Sequence, residues 1–268
     1  MTLAITLDRE KCVRCGSCGP ICPMRIFHQV DDAGYPVIAD YAEEGCIACG
    51  HCVTICPTGS ITVGDLTREG SEETGADRLP SFETFADLVK YRRSIRHFKS
   101  EKVRREDLDR LFEILRWAPT AKNGLPLHWV VVNGPERVRR LAEIAIDEFR
   151  GDPAMSLIVE AWDREGYDWV FRGAPCLIFA YTQTLNEWTP YDTSIGAEIL
   201  DLAAPTLGLG TCWAGFFIRV VSKSAALRKE LGLDPENAVG GALMVGYPDR
   251  EIYGRIPNRP ECSVKVID

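Results

Sequence analysis

Residues 12–23 read CVRCGSCGPICP, and residues 46–57 read CIACGHCVTICP. Cys12, Cys15, Cys18 and Cys22 recur as Cys46, Cys49, Cys52 and Cys56, and each run closes on a proline, Pro23 or Pro57. A repeat of this fidelity is an internal duplication. Three cysteines at intervals of three let one tight loop wrap an iron–sulfur cubane with three thiolates. The fourth, one step further along, points away to another cluster. The spacing therefore predicts two interlocked 4Fe–4S sites, one taking Cys12, Cys15, Cys18 and Cys56, the other Cys46, Cys49, Cys52 and Cys22. Four-cysteine zinc sites also use C-x2-C pairs, but zinc needs neither the third cysteine nor the crossed fourth with its proline. The small residues Gly16, Ser17, Gly19, Ala48 and Gly50 leave room for backbone N–H groups to reach the sulfides, which tunes potential.

These runs resemble a bacterial two-cluster 4Fe–4S ferredoxin over residues 1–64. Short β-prone stretches flank them, LAITL, IFHQV, YPVIA and SITVG, and suit the hairpins of that fold. His28 and His51 read as ordinary loop or strand residues, because the ligand count is complete without them.

A second constellation lies further along: YRRSIRHF (91–98), APTAKNGLPLHWVVV (118–132), GLGTCWAGFF (208–217) and GYPDREIYGRIPNRP (246–260). Singly each is weak. In this order they resemble the FMN-dependent nitroreductase family over residues 81–268. The resemblance implies FMN as cofactor, with Arg92, Ser94 and Arg259 on its phosphate and Arg93 and Arg255 beside them. It also implies Arg96 near the pyrimidine edge of the flavin and Asn123 bonded to the ring or ribityl chain, after the loop Pro119, Thr120, Ala121. Gly208, Gly210 and Gly215 would let the backbone approach the ring. Chemistry agrees, because a phosphate dianion suits guanidinium forks and a hydroxyl held in one turn. A cation at Arg96 would favour the reduced, anionic flavin. The sequence departs from the family at Leu125 and Leu127, where the usual residues are Gln and Trp.

The elements that must position these residues are legible in outline. Residues 65–80, DLTREGSEETGADRLP, lack apolar periodicity and read as a linker between a domain at 1–64 and one at 81–268. Helices are predicted from a Ser81 N-cap, over REDLDRLFEILRWAP, and from Pro135 over PERVRRLAEIAIDEF. HWVVVN (128–133), APCLIFAY (174–181), TCWAGFFI (211–218) and VGGALMVGY (239–247) read as central strands. The predicted fold class is α+β. A ferredoxin-like two-cluster domain precedes a nitroreductase-type α/β domain, whose central, mostly antiparallel sheet is covered by helices. Cys176, Cys212 and Cys262 are expected to be buried small hydrophobes rather than ligands. His97 and His128 are expected to pack or hydrogen-bond. Residues 152–172 form an aromatic insertion that either walls a pocket or packs at a subunit interface.

Composition narrows the function. At 268 residues and 46% hydrophobic content the chain can bury a sizeable core. Net charge is −8, concentrated early: residues 1–64 carry 7 acids and 4 bases, 65–80 carry 5 and 2, and 81–268 carry 27 and 25. An acidic surface disfavours nucleic acid. The opening MTLAITLDREK is unlike a signal peptide and no run of 18 apolar residues occurs, so a cytoplasmic protein with no membrane contact is expected. Eleven cysteines there point to metal or redox chemistry rather than disulfides. The combination predicts an FMN-dependent reductase of nitroaromatic, quinone-like or related small-molecule acceptors, with the clusters relaying electrons to or from the flavin. Its donor would be NAD(P)H or a redox protein, and no G-x-G-x-x-G marks a dedicated dinucleotide site. The family resemblance implies a homodimer. Two alternatives stay open: an electron-transfer module serving a protein partner, and another family chemistry such as reductive dehalogenation or flavin-linked dehydrogenation.

Overall fold

The computed structural model describes residues 3–249 and 255–267. The chain divides into two compact units, residues 1–79 with 121–124, and 80–120 with 125–268.

The first unit repeats itself as its sequence does. Strands β1 (Ile5–Leu7) and β4 (Ile61–Val63) pair antiparallel, as do β2 (Gln29–Val30) and β3 (Pro36–Val37). Between them lie the short helices α1 (Cys18–Ile21), α2 (Ala42–Gly45) and α3 (His51–Ile55). The cysteine loops wind through matching left-handed residues, Arg14 and Gly16 (φ 58° and 72°) and Ala48 and Gly50 (φ 49° and 73°). Glycine makes the second turn of each pair at no steric cost. Ile26, Phe27, Val53, Ile61 and Val63 form the small core between the loops. The segment read as a linker is tied to this unit, for Arg68 Nη1 donates to the carbonyls of Thr54 (2.9 Å) and Cys56 (3.0 Å).

The second unit is built on a four-stranded sheet of order β5-β6-β8-β7, every pair antiparallel. The strands are β5 (His128–Asn133), β6 (Cys176–Thr182), β7 (Gly210–Trp213) and β8 (Ala238–Gly246). Side chains alternate across it with period two. Leu177, Phe179, Ala242 and Met244 face one core with α6 (Pro135–Phe149), α7 (Ser156–Glu165), α9 (Gly215–Val221) and α10 (Ala225–Leu231). Cys176, Ile178, Leu243 and Val245 face the other, with α5 (Arg105–Leu115) and α8 (Thr189–Ala203). Burial on both faces explains why β6 and β8 read as nearly unbroken apolar runs. Helix α4 (Phe82–Tyr91) starts where expected, with the Ser81 hydroxyl accepting the Thr84 N–H at 3.2 Å.

Two expectations need correction. TCWAGFFI is not one strand: β7 stops at Trp213, Ala214 makes a last ladder bond to Ala242, and α9 begins at Gly215. Phe217, Val220 and Val221 bury one face of that helix, and so short an apolar run carries no period to tell helix from strand. Cys262 is exposed, within a C-terminal stretch (255–267) that has no regular structure, whereas Cys176 and Cys212 are buried.

Candidate functional site

The eight cysteines sort into two groups around two separate cavities. One is lined by Cys12, Cys15, Cys18 and Cys56, the other by Cys22, Cys46, Cys49 and Cys52. Each loop thus contributes three thiols to its own cavity and sends its fourth to the other. The local fold enforces this crossing. Cys22 and Cys56 end α1 and α3 in extended conformation (ψ 109° and 115°), which turns each away from its own loop. Among the described residues no group of three or more His, Cys, Asp or Glu side chains stands where one metal ion could be held. Four thiols spread round a cavity fit a cubane, not a single zinc ion.

The thiols differ in environment. Cys52 is pushed up to about 11 by burial and by the neighbouring Cys22, Cys46 and Cys49. At Cys56 burial also raises the pKa, but hydrogen bonds from Ser60 and Thr58 outweigh it and hold the thiol at about 7.

In the second unit the predicted arginine-rich segment leaves α4 and joins the edge of the sheet. Ser94 bridges Thr211 of β7, and the Ile95 N–H donates to the Thr211 carbonyl at 2.7 Å. Arg92 Nη1 pairs with Asp201 of α8 at 3.2 Å, and Asp201 also accepts the Thr211 hydroxyl. Burial pushes the Asp201 carboxyl above its ordinary range, opposed by Thr211 and Arg92. Arg93 donates through Nε to the Tyr91 carbonyl (3.3 Å) and through Nη1 to the Arg255 carbonyl (3.0 Å). Residues 92–95, strand β7 and the stretch at 255 therefore meet. Arg96 and Gly215 line a cavity of about 350 Å³ together with Trp169, Arg172, Trp213 and Arg219. A β-carbon built on Gly215 would meet no atom within 4 Å, so the space over that turn is open.

The other predicted residues fall out differently. Gly210 is small because Ile95 packs on it: a β-carbon there would stand 2.6 Å from Ile95 Cγ1. Gly208 supplies a left-handed turn (φ 71°). Arg255 and Arg259 lie in the exposed C-terminal stretch. Thr120 Oγ1 accepts the Leu125 N–H at 2.9 Å, closing the turn that follows Pro119. Ala121 and Asn123 belong to the first unit, where Asn123 Nδ2 donates to the carbonyls of Ile47 (3.0 Å) and Ala48 (3.2 Å). Asp201, Thr211, Arg172 and Arg219 were not singled out from sequence. The aromatic stretch 152–172 divides its work, since Phe171 is core, Trp162 packs against the core and takes Arg139 over its ring, and Trp169 lines the cavity.

An α+β unit with an antiparallel sheet between helices, preceded by a duplicated four-cysteine unit, defines an iron–sulfur oxidoreductase. Residues 89–247 match the nitroreductase family model and residues 11–61 match that of the 4Fe-4S dicluster domain. The chain belongs to the nitroreductase family. A relative from Archaeoglobus fulgidus, provisionally named NADH dehydrogenase/NAD(P)H nitroreductase, is 27% identical over 61% of this chain and 85% of its own length. The iodotyrosine deiodinase of Thermotoga neapolitana is 26% identical over 61% of this chain and 88% of its own. A Bacteroides fragilis nitroreductase solved with bound FMN shares the fold, with a TM-score of 0.61 and 21% identity over 69% of this chain and 98% of that one. No helix among the described residues is long and apolar enough to cross a membrane.

Proposed function

We propose that the protein is an FMN-dependent reductase in which two 4Fe–4S clusters relay electrons to or from the flavin. The observation that carries this reading is the sorting of eight cysteines into two crossed groups of four, on the same chain as a nitroreductase fold. When bound, the clusters supply single-electron steps, while FMN takes one or two electrons and delivers a hydride equivalent from N5.

The chain's own residues hold these groups and shape their surroundings. Arg92, anchored through Nη1 on Asp201, would hold the FMN phosphate through its remaining donors, with the Ser94 hydroxyl. Arg93 keeps the 255–259 stretch within reach, where Arg255 and Arg259 add charge. Arg96 supplies a cation at the cavity edge, and Gly215 leaves the ring room. Trp169 and Trp213 give the cavity apolar surface for a planar ring, and Arg172 and Arg219 favour acceptors carrying partial negative charge, such as nitroaromatics and quinones.

The protein works in the cytoplasm as a homodimer. Helix α4 buries none of its residues although Phe82, Phe85 and Val89 line one stripe, and Val264, Val266 and Ile267 of the tail are exposed too. Apolar area of that kind marks an interface. The electron donor is NAD(P)H or a reduced redox protein. The Thermotoga neapolitana relative favours one second reading, reductive dehalogenation of an aromatic at the same cavity.

Anaerobically purified protein should carry about eight iron and eight sulfide per chain, together with FMN. Arg92→Ala with Ser94→Ala should release FMN and spare the iron. Reduced protein is then mixed with nitroaromatics, quinones and haloaromatics in single turnover. Zinc without sulfide, or flavin reoxidation no faster than in solvent controls, sinks the reading.

A further inference from the structure

The duplication is symmetric in its backbone and asymmetric in its side chains at one place. Each crossing cysteine receives a backbone N–H from four residues further on: Ile26 N–H to Cys22 Sγ at 3.4 Å and Ser60 N–H to Cys56 Sγ at 3.3 Å. There the likeness stops. Cys56 Sγ also has the Ser60 hydroxyl at 3.1 Å and the Thr58 hydroxyl at 3.7 Å. The matching positions beside Cys22 are Met24 and Ile26, both lining the second cavity and neither with a side-chain hydrogen to give. Ser17 adds a third hydroxyl to the lining of the first cavity, whereas its counterpart in the second cavity is His51.

The hydroxyls of Ser60 and Thr58 have only one role once the thiols are ligands. A sulfur bound to iron has no proton to give, so the oxygens must donate. Ser60 is 3% exposed and Cys56 7%, so water does not compete for that bond. Ser60 is held in place by the sheet, its carbonyl accepting the Asp8 N–H at 2.8 Å. Reducing a cluster adds negative charge that spreads onto its thiolates. O–H donors stabilise the reduced form more than the oxidised one and raise the potential. Solvent exposure works in the same direction, and Cys15 of the first group is exposed while no thiol of the second group is.

We propose that the two cluster sites are unequal. The site of Cys12, Cys15, Cys18 and Cys56 has the higher reduction potential, set by Ser60 with Thr58, and it holds the electron in a singly reduced molecule. The site of Cys22, Cys46, Cys49 and Cys52, with apolar neighbours in their place, is the lower. This rests on the two-cluster reading above, and Ser60 and Thr58 act as positioning and tuning residues rather than ligands.

The test is a redox titration of the anaerobic full-length protein followed by electron paramagnetic resonance, run only on preparations whose iron and sulfide match two cubanes. A wrong metal content condemns the two-cluster reading itself, whereas the tuning claim is judged on correctly loaded protein. Wild type should show two separated reduction steps. Ser60→Ala should lower the upper step and leave the lower one in place. Ile26→Ser, which installs the hydroxyl at the matching position, should raise the lower step and narrow the gap. Thr58→Val gives a smaller fall of the upper step and serves if Ser60→Ala does not load. A single unresolved step in wild type, a shift of the lower step in Ser60→Ala or Thr58→Val, or no movement in any loaded variant would overturn the proposal.

Discussion

Gly210→Ala is the substitution whose outcome separates packing from cofactor contact most sharply. Gly210 opens β7, and because glycine loses the most conformational freedom on folding, alanine there should stabilise by up to about 0.5–1 kcal/mol if space allowed. Space does not allow it. The new methyl would stand 2.6 Å from Ile95 Cγ1 and 2.9 Å from Ile95 Cβ. A rotamer change can move Cγ1 but not Cβ, which is fixed to a backbone whose N–H donates to the Thr211 carbonyl at 2.7 Å. Overpacking of this kind costs about 1–3 kcal/mol, and the fixed Cβ places it at the upper end. For a unit of this size each kcal/mol moves Tm by about 2–4 °C, so a fall of about 6–12 °C is expected. Because Ser94 and Arg96 flank Ile95, FMN affinity should fall with it. The assay is thermal unfolding of flavin-free and flavin-loaded protein for Gly210→Ala, Ile95→Ala and the double variant. The double variant should regain only the share of the cost that comes from Cγ1 and Cγ2, because alanine at 95 keeps the Cβ that stands 2.9 Å away, a partial coupling that additive, independent sites do not show. If flavin-free Gly210→Ala melts at or above wild type while FMN binding alone is lost, Gly210 serves the ring and the packing argument is wrong.

Three further outcomes are expected. Cys22→Ser should cut iron from about eight to about four per chain, and the surviving resonance should be that of the site lined by Cys12, Cys15, Cys18 and Cys56; loss of that site instead would refute the crossed ligation. Tyr247→Phe removes a hydroxyl that donates to Asp107 at 2.5 Å and should cost about 1.5–3 kcal/mol at pH 7, as befits a bond to a charged group. Burial raises the Asp107 pKa, but Tyr247 and Arg104 outweigh it and hold the carboxyl below its ordinary 3.8. Its contribution is therefore complete above that value and lost as pH falls through the lowered one, so denaturant unfolding of wild type and variant should converge only below about pH 4; a gap that persists in acid contradicts this. Phe85→Glu with Val89→Glu, on the exposed stripe of α4, should halve the mass seen by light scattering, and an unchanged mass would remove α4 from the interface.

The parts of the fold legible in sequence are those governed by short-range rules. Eight cysteines at fixed spacing announce their own cross-linking, because ligand geometry is local to each loop and the crossing follows from one extra residue. Helices α5 and α6 are amphipathic, so their buried stripes (Leu108, Leu111 and Leu115; Val138, Leu141, Ala142 and Ala145) appear as a 3.6-residue period. Helix α8 shows no such stripe. Its buried residues include Thr189, Asp192, Thr193 and Asp201 beside Gly196, Ala197 and Leu200. Polar groups lie inside because they are bonded there, as Thr193 is to the Thr189 carbonyl at 2.7 Å. Binary patterning reads such a helix as loop.

The arginine-rich site was legible as a set of residue types but not as an arrangement, and Asp201 shows why. A buried carboxylate is costly unless paired, so its position is dictated by Arg92 and Thr211, which lie far from it in sequence or on another element. Nothing within a few residues of Asp201 signals that pairing. The same holds for the glycines. Gly208, Gly210 and Gly215 look alike in GLGTCWAGFF, yet Gly208 makes a left-handed turn, Gly210 yields to Ile95, and Gly215 opens α9 beside empty space. Gly215 also lines the cavity beside Arg96, so there the missing side chain leaves room for a ligand. Gly215→Val should therefore leave the melting of flavin-free protein within about 1 °C of wild type, as befits a surface substitution, and weaken FMN binding. If flavin-free Gly215→Val unfolds early with FMN affinity intact, the open space above α9 is not where the flavin lies.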